Sequence, residues 1–171
     1  MIFTFTLRVA LPPDSPDPMD HVDALAGAGC TDALVGTGHR GIVALTFDRE
    51  AGEAEAALCS AWADVQRAIP RARLIEVRPD LVNLSDAADL LGWSRQNMRK
   101  YAGGEIRAAA SPFPEPVIAA IPPLYRLAEV LDWLARAGKT NLPPALPAIA
   151  REAAQWNLSL QRDRLDRPAA A

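Results

Sequence analysis

Long apolar runs are missing from this 171-residue chain. No segment approaches the roughly 20 consecutive apolar residues that a membrane-spanning helix requires. The first ten residues also lack the basic start and the continuous apolar stretch of a secretion signal. We therefore expect a cytoplasmic protein that does not enter a membrane.

Histidine and cysteine are equally scarce, with two residues of each. Cys30 and Cys59 are far apart and have no histidine at a metal-ligand spacing, so both are predicted to be buried thiols in a reducing compartment. His21 and His39 have no evident catalytic neighbour. The glycine-rich loop at 36–41 lacks the Gly-Lys-Ser/Thr ending of a phosphate loop and is interpreted as a hairpin connection. We predict no enzyme activity, no metal and no cofactor.

Positive charge is unevenly distributed along the chain. The net charge of −3 argues against a protein that coats nucleic acid through bulk charge. Residues 1–79 carry 11 acidic and 7 basic residues, whereas residues 94–107 carry four basic residues and the single acid Glu105. A local basic surface is therefore expected in the second half of the chain.

The first 79 residues predict the element order β-α-β-β-α-β. Alternating apolar residues at 3–9 indicate a strand, and residues 19–28 have helical spacing, with Asp17 or Asp20 at the start. Apolar runs at 31–36 and 41–47 indicate two paired strands. An alanine-rich helix is expected from Asp48 or Arg49 to Pro70, followed by a strand at 73–78. This order is typical of a ferredoxin-like α+β domain, a fold that by itself assigns no function.

Residues 84–101 predict two short helices joined by a tight turn. Ser85 is the expected N-cap of the first helix, Gly92 its left-handed end, and Ser94 the N-cap of the second. Trp93 and Met98 are the expected core anchors of the second helix. Its remaining side chains are polar and include no acid, and they are of the types that read base edges and contact phosphates. The predicted DNA-contacting residues are Ser94, Arg95, Gln96, Asn97, Arg99, Lys100, Tyr101 and Arg107.

This segment resembles the winged helix-turn-helix domains of the MerR and phage excisionase type. The similarity covers about residues 81–136 and includes the Ser-x-x-Ala…Leu-Gly-x-Ser…Arg-Lys-Tyr pattern of residues 85–101. The resemblance implies a wing strand near 113–119, then a return strand and a helix within 124–134. The wing tip lacks the usual basic residue, and Arg107 or Arg126 is the candidate for the missing phosphate contact.

These features predict three parts: a ferredoxin-like domain at 1–79, a mostly helical winged helix-turn-helix domain at 80–138, and a carboxy-terminal helix and tail at 139–171. The carboxy-terminal helix, at 148–165, carries an apolar stripe that packs either on its own domain or on a second protomer. The expected function is a transcriptional regulator that binds double-stranded DNA as a homodimer. The alternative is an antitoxin-like or adaptor protein whose amino-terminal domain binds a partner protein.

Overall fold

The computed structural model describes residues 1–105, 111–139 and 141–166. The fold is mixed α+β, with 44% helix and 23% strand, as the sequence predicts. The chain divides into two compact units. The first unit contains Met1–Arg78 together with the helix residues from Gln155 onward, and the second unit contains Pro79–Ala154. None of the helices in the described ranges is long and apolar enough to cross a membrane.

The first unit is built on a four-stranded antiparallel sheet, in which the strands lie side by side in the order β2 (Ala33–His39), β3 (Ile42–Glu50), β1 (Ile2–Ala10) and β4 (Arg73–Arg78). A single 3-10 turn at Pro18–His21 precedes the first helix, and the side chain of Asp17 caps this turn. The elements in chain order are β1 (Ile2–Ala10), α1 (Val22–Gly27), β2 (Ala33–His39), β3 (Ile42–Glu50), α2 (Ala54–Ala68) and β4 (Arg73–Arg78).

One face of this sheet carries the core of the first unit. Alternation in β1 places Phe3, Phe5 and Leu7 on the buried face, and the ring of Phe5 stacks on Phe47 of β3 at a centroid distance of 5.3 Å. Helix α2 packs against β1 and β3, and α1 packs against α2. The period-2 pattern at 3–9 thus corresponds to a half-buried strand, as expected.

The hairpin connection predicted at 36–41 is shorter than expected, because β2 continues through His39 and β3 begins at Ile42.

Two further boundaries of the first unit differ from the sequence-based expectation. The second helix does not begin at Asp48 or Arg49, because β3 continues through Glu50 and pairs with β1 along its length. The extension positions Arg49 to donate to Asp32 at 2.7 Å and to Asp64 at 2.8 Å. The first α-helix is also shorter than predicted, because the 3-10 turn takes up its expected first turn.

The two cysteines have different environments. Cys30 is buried, as predicted, and burial raises the pKa of its thiol to about 11. The prediction for Cys59 is wrong, because its side chain is exposed. Helix α2 turns Ala57, Leu58 and Ala61 toward the core, and position 59 therefore falls on its solvent side.

The second unit contains two very short strands and four helical segments in the part of the chain that the structure describes. Strands β5 (Leu81–Val82) and β6 (Tyr125–Arg126) pair antiparallel, with Leu81 opposite Arg126. Helix α5 (Leu127–Arg136) contributes Leu127, Val130, Leu131 and Leu134 to the core of this unit. The elements are β5 (Leu81–Val82), α3 (Leu84–Leu91), α4 (Arg95–Ala102), β6 (Tyr125–Arg126), α5 (Leu127–Arg136) and the first part of α6 (Leu146–Leu165).

The carboxy-terminal helix, α6, begins two residues earlier than predicted. Ile149 and Ala153 of its predicted apolar stripe are buried within the chain, whereas Trp156 and Leu160 are half-buried. Asn157, also buried, bonds through its side chain to the backbone of Val77 in β4. Part of the stripe is therefore covered by the chain itself.

Candidate nucleic-acid interface

Helix α3 begins at Leu84 and is capped by Asn83. The Asn83 side-chain oxygen accepts hydrogen bonds from the backbone amides of Ser85 at 2.8 Å and Asp86 at 3.0 Å. The prediction that Ser85 is the N-cap is therefore wrong by two positions. Asn83 has extended backbone angles, as a cap requires, while Ser85 is already inside the helix.

The turn between α3 and α4 is formed as the sequence predicts. Gly92 has a φ of 66°, the left-handed conformation that glycine adopts at little cost. Ser94 caps α4, because its hydroxyl accepts a hydrogen bond from the Asn97 amide at 3.2 Å. Ala87 and Ala88 on α3 are fully buried, and these small side chains allow α4 to approach α3 closely.

Two side chains anchor α4 in the core of the second unit. Met98 is fully buried, as predicted, and Tyr101 is 5% exposed, whereas the other predicted anchor, Trp93, is only half-buried. The ring of Tyr101 lies 6.2 Å from that of Trp93 and 5.9 Å from that of Trp133, and the Lys139 ammonium lies 5.5 Å from its centre. The predicted DNA contact of Tyr101 is wrong, because the buried ring has almost no surface that a ligand could reach. Its role is to pack α4 against the core.

The remaining side chains of α4 form a polar and basic surface. Arg95, Gln96 and Arg99 are exposed, while Asn97 and Lys100 are half-buried. No acidic residue occurs in the sequence of this helix. The structure thus brings together, on one short helix, most of the residues that the sequence singled out.

An acid on α3 reaches this surface. The Asp89 carboxylate accepts hydrogen bonds from Nη2 of Arg95 at 2.9 Å and from Nε at 3.3 Å. This hydrogen-bonded pairing raises the pKa of Arg95 above its usual range. No expectation from the sequence placed Asp89 next to Arg95. The available signal was the opposite charge of these two residues, which flank the tight turn.

The segment after α4 forms a small antiparallel contact. The backbones of Ile118 and Leu124 exchange hydrogen bonds of 3.2 and 3.0 Å. Between them lies the exposed Ile121, and residues 117–123 contain no basic residue. Phe113, at the start of the expected wing strand, instead packs its ring against Trp133 at 5.1 Å. Of the strand expected near 113–119, the described residues form only the bridge at Ile118. A two-residue strand and a helix occur within the range where a strand and a helix were expected to follow.

The two candidates for the wing's phosphate contact have different outcomes. Arg126 is engaged elsewhere, since its Nη1 donates to Asp80 at 2.6 Å and both side chains are largely buried. The role considered for Arg126 is therefore wrong. Arg107 lies outside the described residues.

Comparisons with known proteins add no functional assignment. No family model matches the chain, and neither the curated proteins nor the solved structures provide a significant match. Within the described ranges, no group of three or more His, Cys, Asp or Glu side chains is arranged to hold a metal ion.

Proposed function

We propose that this chain binds double-stranded DNA in a sequence-specific manner, with α4 as the recognition helix of a helix-turn-helix. The observation that carries the proposal is the exposed surface of α4. It has three positive charges and no acid of its own, and it is fixed to the protein by the buried Met98 and Tyr101. A rigid helix with such a surface suits the major groove of DNA, which is wide enough to admit it.

The first turn of α4 is suited to base edges. Ser94, Arg95, Gln96 and Asn97 supply hydroxyl, guanidinium and amide groups, and arginine and the amides match guanine and adenine, respectively. Arg99 and Lys100 lie one turn further on. Phosphate contacts by these two residues set the position of the protein on the duplex without reading its sequence.

The other elements of both units are consistent with this function. The short β5–β6 pair, the Ile118–Leu124 bridge and α5 support a small winged helix-turn-helix domain. The strand order β2-β3-β1-β4, with helices between β1 and β2 and between β3 and β4, supports a ferredoxin-like first unit. The chain would then pair a DNA-reading module with a module suited to association or signal sensing.

The biological role that fits these modules is a cytoplasmic transcriptional regulator. Helix α4 has only eight residues, so one copy reads few base pairs. Two copies on two half-sites multiply the specificity, and we therefore include a homodimer in the proposal.

Selection from a random pool of duplex DNA tests this function. The wild-type chain should enrich a defined motif, and the Arg95→Ala/Gln96→Ala double variant should lose the enrichment. Gln155→Ala, a change at an exposed position on α6, is the control and should select the same motif as wild type. Absence of any motif with folded wild-type protein would refute the proposal, and copurification of a stoichiometric second protein would then favour a protein-binding role.

A further inference from the structure

The ion pair between Asp89 and Arg95 uses one particular edge of the guanidinium group. Asp89 accepts from Nε and Nη2, which together form the side edge of the group. A guanidinium carries five N–H donors, so the two donors of Nη1 and the second donor of Nη2 stay available. Within the described residues, Arg95 makes no further hydrogen bond or ion pair.

The free edge of Arg95 has the right geometry for one base. Its two parallel N–H groups, on Nη1 and Nη2, match the adjacent O6 and N7 acceptors of guanine in the major groove. The side chain is exposed and long, and an unpaired arginine in that setting is free to sample many rotamers. Fixing the group before binding reduces the ordering cost of the base contact.

The negative charge of Asp89 has a second consequence. It offsets the charge of Arg95 at the protein surface and so weakens attraction to phosphates on any DNA sequence. A guanine still gains two directed hydrogen bonds from the free edge of Arg95. The Asp89–Arg95 ion pair therefore weakens binding to phosphates of any sequence more than it weakens binding to a guanine. Sequence specificity is this difference between the two affinities.

We propose that Asp89 is a positioning residue for DNA recognition, which holds Arg95 so that its Nη1–Nη2 edge reads a guanine in each half-site. This inference rests on the proposed function of α4. It adds a residue on α3 to the determinants of specificity and names the base that this part of the site must contain.

The test uses the full-length chain and the motif selected from the random pool. Affinities are measured for the motif, for duplexes in which each guanine is changed in turn, and for a scrambled duplex. The proteins are wild type, Asp89→Ala, Arg95→Ala and the double variant. Asp132→Ala is the matched control, because it also removes a carboxylate from an exposed arginine, Arg151, but on α5.

Discrimination at one guanine should fall about 5-fold in Asp89→Ala, because this variant keeps Arg95 and loses only part of what a bidentate base contact contributes. Affinity for the scrambled duplex should stay the same or rise. In the Arg95→Ala background, loss of Asp89 should no longer alter discrimination at that base, and Asp132→Ala should match wild type throughout.

Two results would overturn the inference. Unchanged discrimination in Asp89→Ala, with wild type still selective, would show that Asp89 does not position Arg95 and would leave the proposed function intact. A wild-type chain without any sequence preference would remove both proposals. Circular dichroism of each variant establishes that it is folded, so a loss of discrimination is not attributed to unfolding.

Discussion

Replacing Asn157 with leucine should strongly destabilise the first unit. The Asn157 side chain accepts a hydrogen bond from the Val77 amide and donates one to the Val77 carbonyl, each at 2.8 Å. Val77 lies on β4, an edge strand of the sheet whose other side pairs with β1. The asparagine amide thus serves as the partner that a further strand would provide.

The loss of stability can be estimated from the two backbone groups that lose their hydrogen bonds in Asn157→Leu. Leucine has a similar size but can neither donate nor accept, so a buried amide and a buried carbonyl of Val77 lose the bonds that Asn157 provides. An unsatisfied buried group costs about 1–3 kcal/mol, so the two groups together cost about 4 kcal/mol. For a chain of this size, that corresponds to a fall in Tm of about 8–16 °C.

Thermal unfolding followed by circular dichroism measures this effect in the full-length chain. Gln155→Leu is the matched control, because this exposed position on the same helix should change Tm by little. A Tm for Asn157→Leu within a degree or two of wild type would contradict this prediction, since it would mean that the two hydrogen bonds make no net contribution to stability.

Three further predictions concern other parts of the molecule. A maleimide should label the exposed Cys59 rapidly in native protein but should label Cys30, which is buried and has its thiol pKa raised to about 11, only after unfolding; rapid labelling of both would contradict this. The hydrogen bond from Arg49 lowers the pKa of Asp32 below 3.8 in the folded protein. The ion pair therefore stabilises the fold fully above pH 3.8, and this stabilisation is lost as the pH falls through the lowered pKa of Asp32. The difference in unfolding free energy between wild type and Arg49→Met should therefore shrink on acidification below pH 3.8, and a constant difference would count against the pairing. Gly92→Ala should lower stability by about 1 kcal/mol, because alanine is strained at a φ of 66°, and an unchanged Tm would show that the turn relaxes.

The order of elements in the first unit could be predicted because it depends on local patterns. Alternating apolar residues define β1, and the closing strand Arg73–Arg78 occurs at its predicted residues. The junction of β3 and α2 could not be located in the same way. Its residues are polar, and Arg49 stays in a strand where it meets Asp32 and Asp64, which are distant in sequence.

The candidate interface shows the same division between local and distant causes. Gly92 and Ser94 act on their immediate neighbours, so their roles follow from residue type and spacing. Asn83 and Ser85 are both suitable caps, and only the backbone conformation distinguishes them. The burial of Tyr101 depends on Trp133, which belongs to another helix, and no pattern near Tyr101 indicates that contact.

Sequence-specific binding by α4 is measured as the ratio of affinities for the selected motif and a scrambled duplex, taken at two salt concentrations. We predict a wild-type ratio of about 10³ or more, which Gln96→Ala lowers by about 5-fold or more through loss of a base contact. Lys100→Ala should instead weaken both duplexes equally and reduce the salt slope by about 1. A Gln96→Ala variant that loses equal affinity for both duplexes would contradict base reading by α4.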